Sequence, residues 1–380
     1  MKKKKVCIIT GFYKPGYLAG GPIQSIYNLS NLLNQDFDIH IITQNFDLGA
    51  EKEVYNVETN VWISRDEGVR VMYLNKRDFL FQSRKKCLEI QPDVIYLNSF
   101  FATTSILSIF YFNYLKRKNK IKLIIAPRGE FDPGALKIKK LKKSIYILFF
   151  KIFSLRKNNF HATTALEKQN IDTVLKNNNI YIAENIPKKA LGSIERVKEK
   201  YKTTLLFYSR ISPKKNLKFC IDFLVNNKFS GEISFLVAGP KEDFNYWNKC
   251  EREVKNLPEN INFEYIGSVK HDEIDSLFKK CHYLFFPTLG ENFGHVIYEA
   301  LASGMPILIS DKTPWENKGF QNGVFTNSLT DVNGFKNHLE KLHSLNDEEY
   351  KKLSENSFSY SKQVIDLKKI KQQYYKMLEI

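Results

Sequence analysis

Two carboxylates stand eight residues apart in the segment Gly290-Glu-Asn-Phe-Gly-His-Val-Ile-Tyr-Glu299, between two apolar runs. Gly290 and Gly294 lie where a loop should enter a helix, with the helix beginning near Gly294. A loop that runs into a helix leaves backbone N–H groups without intrahelical partners, an anion site of the kind that suits a diphosphate. If Glu291 and Glu299 were both helical, they would lie about 12 Å apart along the axis at 1.5 Å per residue. That exceeds the roughly 5–9.5 Å between the acid and base of a glycoside-hydrolysing pair. The spacing fits two contacts on one long ligand. An acidic first helical turn complementing the helix dipole would explain the carboxylates alone, but not the glycines and strands around them.

These residues need a scaffold, and the chain alternates short apolar runs with helix-length segments. Strands are expected at Val6–Thr10, Ile39–Thr43, Val69–Leu74, Asp93–Asn98, Lys122–Pro127 and Phe160–Thr164, then at Thr204–Arg210, Ile233–Gly239, Ile261–Gly267, His282–Thr288 and Pro306–Ser310. Runs rich in Ile, Val, Leu and Phe with helices between them read as buried parallel strands. The class is therefore α/β, doubly wound, with two sheets. The boundary is expected between Asn185 and Thr203, where Pro187, Gly192 and a polar run break the pattern. The tail from about Lys362 to Ile380 reads as a basic amphipathic helix. Val94 to Leu115 carries no formal charge, yet it divides into a strand and a polar-dotted helix and is not expected to span a membrane.

A length of 380 residues favours two domains. With 43% hydrophobic and 14% aromatic residues the composition is that of an ordered protein. A net charge of +17, from 58 Lys and Arg against 41 Asp and Glu, favours anionic partners without choosing among them. Cys7, Cys87, Cys220, Cys250 and Cys281 are odd in number and lack a CxxC pair, so buried thiols in a reducing cytoplasm are expected. The basic start and the short run after it do not make a signal peptide.

The Glu291–Glu299 segment resembles the E-x7-E signature of glycosyltransferase family 4, and other pieces follow in that family's order over most of the chain. Gly20-Gly21-Pro22 resembles its glycine-rich first loop. Ala126-Pro-Arg-Gly-Glu-Phe-Asp-Pro-Gly-Ala-Leu136 resembles a P-[RH]-G element of a branch common in bacterial polysaccharide and O-antigen clusters. Leu206-Phe-Tyr-Ser-Arg-Ile-Ser-Pro-Lys-Lys-Asn216 resembles the G-R-x-x-x-x-K-G element. The resemblance implies a GT-B fold: two facing Rossmann-like domains, residues 1–190 on the acceptor side and 191–361 on the donor side, with the 362–380 helix packing back on the first. It implies a glycosyltransferase acting with retention on a nucleotide sugar, expected to be UDP-linked, and on a lipid-diphosphate-linked or oligosaccharide acceptor. A sugar-nucleotide-binding protein of this fold that is an epimerase or an inactive scaffold is the alternative.

By the same resemblance Arg210 and Lys215 contact the donor's phosphates, a fork and a point charge that suit a leaving diphosphate. Glu299 accepts from the ribose hydroxyls, Glu291 contacts the transferring sugar, and Phe293 and Gly294 offer backbone N–H groups. Gly21 lets the first loop approach the phosphates closely. Three departures stand out. Arg128 replaces a frequent histidine and, having no base to offer, is expected to act electrostatically or on the acceptor's phosphate. Asn216 replaces the glycine after the lysine, and Ala183-Glu-Asn-Ile186 replaces an N-G pair. His161 reads as a packed, hydrogen-bonded histidine. With no DxD pair and no metal-ligand spacing, neither metal nor cofactor is expected.

The positive charge has a locus. No acidic residue occurs from Pro133 through Leu166, while Lys137, Lys139, Lys140, Lys142, Lys143, Lys151, Arg156 and Lys157 surround Ile145-Tyr-Ile-Leu-Phe-Phe150. Cations beside an apolar face suit an interfacial helix, and a peripheral protein on the cytoplasmic face of an anionic membrane is expected. A nucleic-acid partner is not, because cations and aromatics are not interleaved in any recognition pattern. Nor is a dinucleotide-dependent oxidoreductase, because Gly11-Phe-Tyr-Lys-Pro-Gly16 is not G-x-G-x-x-G.

Overall fold

Val6-Cys-Ile-Ile9 is apolar on both faces, and it forms the buried middle of a parallel sheet. The computed structural model describes residues 3–49, 56–65, 68–115, 121–137, 139–153, 155–176, 179–187, 192–269, 273–291 and 293–379. Two units are present: Met1–Ile186 with Asp366–Ile380, and Pro187–Ile365. Residues 188–191, within the expected junction, lie outside the described residues, as does Asn292.

The first unit holds β1 (Lys4–Thr10), β2 (Phe37–Gln44), β3 (Trp62–Ser64), β4 (Arg70–Leu74), β5 (Val94–Asn98), β6 (Lys122–Ala126), β7 (Asn159–Ala162) and β8 (Ile180–Ile182). Their order across the sheet is β3-β4-β2-β1-β5-β6-β7-β8. Seven strands are parallel. β3 is not: it pairs antiparallel with β4, to which a connection too short for a crossover joins it. The second unit holds β9 (Lys202–Tyr208), β10 (Glu232–Ala238), β11 (Ile261–Gly267), β12 (Tyr283–Phe286), β13 (Ile307–Ser310) and β14 (Val324–Asn327), ordered β11-β10-β9-β12-β13-β14. All its pairings are parallel. Strand order therefore reverses between β1 and β5 in one sheet and between β9 and β12 in the other. In such sheets ligands bind beyond the carboxyl ends of the strands at the reversal.

The single tail helix expected from about Lys362 is two helices, Asp347–Val364 and Leu367–Leu378. Asp366 separates them, its side chain accepting from Lys369 N and starting the second. That second helix belongs to the first unit. Tyr374 and Met377 are buried there, and Lys371 pairs with Asp36 at 2.8 Å and Lys369 with Glu184 at 2.9 Å.

The helix Lys140–Ile152 is apolar on two sides. Phe150 is fully buried, and with Tyr146 it packs on Phe100 at 5.0 and 4.9 Å between ring centroids. Ile147 also packs, partly buried, against the core. Leu141, Ile145, Leu148, Phe149, Ile152 and Phe153 are exposed, an i, i+4, i+7, i+8 stripe. Leu107, Tyr111 and Tyr114 of helix Thr103–Leu115 are exposed as well, and Phe110 meets Phe153 edge-on at 5.7 Å, so the two helices adjoin. Lys143 is not a free surface cation: it donates to Ala135 O at 2.7 Å and lies 4.8 Å over the Phe101 ring. The side chain of Arg156 lies outside the described residues. Among the described residues no helix is long and apolar enough to cross a membrane.

Candidate active site

Arg210 and Lys215 follow β9, Glu291 follows β12, and these strands are the neighbours at which the second sheet reverses. The topology thus brings three widely separated side chains to one edge. Lys215 Nζ donates to Glu291 Oε1 in a close ion pair with both side chains largely buried. Arg210 Nη1 donates to Glu242 Oε1 at 2.5 Å. Glu299 lies on the helix His295–Ala302, and its negative charge, after burial, raises the pKa of Tyr208, the last residue of β9.

The loop after β9 explains one departure from the family pattern. Asn216 has φ 63° and ψ 38°, the left-handed region that glycine enters freely and asparagine tolerates best among the rest. Its side chain also donates to Pro287 O at 2.8 Å, tying the loop after β9 to the loop after β12. Leu289 N donates to Lys214 O at 2.9 Å across the same seam. Buried Thr288 donates to Lys214 O at 3.1 Å and lies 3.3 Å from Glu291 Oε1.

Glu291 is not helical. The helix starts at His295, with Gly294 as its N-cap at φ 76° and no side-chain cap. The 12 Å figure from helical spacing therefore does not describe the pair, because a loop glycine in the left-handed region turns the chain between them. Phe293 is held from both sides: Trp315 Nε1 donates to its carbonyl at 2.6 Å, and the Trp315 ring packs 5.7 Å away.

In the first unit Gly21 opens the helix Gly21–Leu33, followed by Pro22 in the first turn. The positive φ of this loop, 62°, falls on Gly20. Arg128 has φ 55° after β6 and turns its guanidinium inward. Nε donates to Asn98 Oδ1 at 2.9 Å, Nη1 to Asn185 Oδ1 at 2.9 Å and Nη2 to the Tyr96 hydroxyl at 2.8 Å. Asn185 belongs to the departing Ala-Glu-Asn-Ile segment, which gives that replacement a partner.

His161 is packed and hydrogen-bonded, as its strand context suggests. Nε2 faces Ala183 O at 2.7 Å and so carries the proton, leaving Nδ1 to accept from Tyr96 at 2.6 Å. Burial, then the Arg128 charge, hold its pKa down at about 3, so the ring is neutral at physiological pH. The five cysteines are buried and unpaired. Among the described residues no three His, Cys, Asp or Glu side chains gather as a metal-binding group. Glu242, Thr288 and the Lys215–Glu291 pairing escape sequence reading. The partners of that pair are 76 positions apart, and only the strand order makes them neighbours.

Two reversed parallel sheets, with cations and carboxylates at a reversal, define the class: the chain has the GT-B fold of glycosyltransferases. Residues 193–360, nearly all of the second unit, match the family model "Glycosyl transferases group 1". The whole chain superposes on sucrose-phosphate synthase of Thermosynechococcus elongatus, with a TM-score of 0.73 at 14% identity, covering 99% of this chain and 98% of that one. HepE of Anabaena, solved with UDP and glucose, superposes with a TM-score of 0.67 at 13% identity over 99% of both chains. Among curated relatives, an uncharacterized 41.2 kDa protein in the cps region of Klebsiella pneumoniae is 26% identical over 77% of this chain and 78% of its own. An uncharacterized glycosyltransferase of Methanocaldococcus jannaschii is 29% identical over 65% of this chain and 66% of its own.

Proposed function

We propose that the protein transfers a sugar, with retention, from a nucleotide donor to a lipid-diphosphate-linked or oligosaccharide acceptor in cell-envelope polysaccharide synthesis. The observation that carries this reading is the β9/β12 reversal, where Arg210 and Lys215 follow β9, Glu291 follows β12 and pairs with Lys215, and the next helix, which carries Glu299, begins without a side-chain cap. Arg210 and Lys215 take the diphosphate, whose charge grows as the glycosidic bond breaks. Glu299 accepts from the ribose, Glu291 orients the transferring sugar, and Phe293 and Gly294 present backbone N–H groups. UDP is the expected nucleotide, a choice supported by the UDP complexes of HepE. The K. pneumoniae relative, from a cps region, supports an envelope polysaccharide as product.

On the acceptor side we assign Arg128. Its guanidinium is held by Asn98, Asn185, Tyr96 and Tyr374 with the buried Glu167 carboxylate nearby, at the carboxyl edge of the first sheet, where a fixed cation suits an anionic acceptor. Gly21, opening the helix after β1, lies at the same edge. The exposed stripe of helix Lys140–Ile152, flanked by exposed Lys137, Lys139, Lys140, Lys142 and Lys151, docks the enzyme on the cytoplasmic face of an anionic membrane, where a lipid-linked acceptor would be found. The donor needs no metal, because side-chain cations take the role a divalent ion has elsewhere. UDP is therefore expected to bind with equal affinity before and after treatment with EDTA in a calorimetric titration. Loss of binding on chelation would contradict the metal-free assignment.

A further inference from the structure

The fold holds Glu242 firmly against Arg210. Gly239, after β10, has φ 134°, and a Cβ there would come within 1.9 Å of Ser209 O. Only glycine lets the end of β10 close on the end of β9 in this way. Beyond it Ile211 N donates to Pro240 O at 2.8 Å and Asp243 N to Ile211 O at 3.2 Å. The two loops are thus fastened on either side of the Arg210–Glu242 contact. Both side chains remain about one-third exposed, at 32% and 34%, so a ligand can reach them.

Both cations assigned to the phosphates have a carboxylate partner. Arg210 and Lys215 face Glu242 and Glu291, one carboxylate to each cation. Neighbouring Lys241 has its ammonium over the rings of Trp247 and Tyr265, at 4.0 and 4.5 Å. A diphosphate gains little from a cation that keeps its carboxylate; it gains when the carboxylate lets go. Glu291 has hydroxyls of the donor sugar to turn to, whereas Glu242 lies at the far strand of the set.

We propose that Glu242 is the resident counter-ion of Arg210, and that a diphosphate binds by displacing it. This rests on the assignment of Arg210 to the donor's phosphates. When the phosphate leaves, Glu242 recaptures the guanidinium, which lowers the affinity for the product nucleotide and speeds its release. Glu242 is then a residue that sets affinity at the site, opposing binding although it touches a binding residue.

Glu242→Gln keeps the shape and removes the charge, and the probes are inorganic pyrophosphate and UDP, each titrated calorimetrically at fixed ionic strength. The dissociation constant for both is expected to fall about two- to fivefold, the range of a partly exposed ion pair. In an Arg210→Gln background the same change should have no effect, because the partner is gone. Glu242→Ala, as a second variant, should move affinity in the same direction. Unchanged pyrophosphate affinity in Glu242→Gln overturns the proposal. Weaker affinity also overturns it, showing that Glu242 instead holds Arg210 in place for the phosphate. A gain that persists without Arg210 overturns it too, as a general charge effect. Tighter pyrophosphate binding with no UDP binding in any variant sustains the exchange and rejects the nucleotide reading.

Discussion

Glu291→Ala is expected to lower turnover about a hundredfold, the scale of loss when a reacting group is no longer held in line, without weakening UDP. The carboxylate pairs with Lys215, so its removal frees a phosphate cation while the transferring sugar loses its orientation. Glu299→Gln should fail in the opposite way. It removes a charge-assisted contact to ribose of about 1.5–3 kcal/mol, which weakens the donor at least tenfold and leaves turnover nearly intact. Lys215→Ala and Glu291→Ala should combine non-additively, because each single change leaves a largely buried charge without its partner. Steady-state kinetics with UDP titrations on all four variants check this. Near-neutral behaviour of both glutamate variants would remove the basis for the assignment.

Binding to anionic vesicles is expected to fall about a hundredfold when Lys139, Lys140 and Lys142 become Gln, since each cation near such a surface is worth about 1 kcal/mol. All three are exposed, whereas Lys143 is tied to Ala135 and Phe101 and is left in place. Raising the salt should weaken the wild type by screening the same charges. Changing Ile145, Leu148 and Phe149 to Ser should reduce binding while preserving its salt dependence, because shallow apolar burial is the second contribution. Co-sedimentation with vesicles of stated anionic content separates the two. A lysine variant that binds as well as wild type makes the patch a solvated face. Absence of wild-type binding at physiological ionic strength makes the acceptor a soluble one.

Where hydrophobic patterning was strong, the sequence was enough to place structure. Each of the eleven expected strands lies on an observed one, because buried parallel strands announce themselves as unbroken apolar runs. β3 and β8, three residues long, and β14, four, were not expected. The tail helix was placed too early because Val364-Ile-Asp366 reads as part of one amphipathic pattern, while Asp366 in fact caps a new helix. At the candidate site, residue types were legible and their partners were not. Gly239-Pro-Lys-Glu242 follows a predicted strand, but pairing Glu242 with Arg210 requires knowing that β10 lies beside β9. Arg128 carried a charge signal, whereas its inward turn depends on φ 55° and on Tyr96 and Asn98 of β5 and Asn185 arriving from two other segments.

The central claim is sugar transfer from a nucleotide donor held by Glu291 and its neighbours. The direct measurement is a panel of radiolabelled nucleotide sugars, incubated in EDTA with membranes or lipid-linked oligosaccharide, comparing wild type with Glu291→Ala. The account predicts that wild type moves label from one UDP-sugar into the lipid-linked fraction and that Glu291→Ala, still binding UDP, moves about a hundredfold less. Wild-type protein that binds UDP yet moves no label from any donor, or a Glu291→Ala variant that transfers at the wild-type rate, would contradict it.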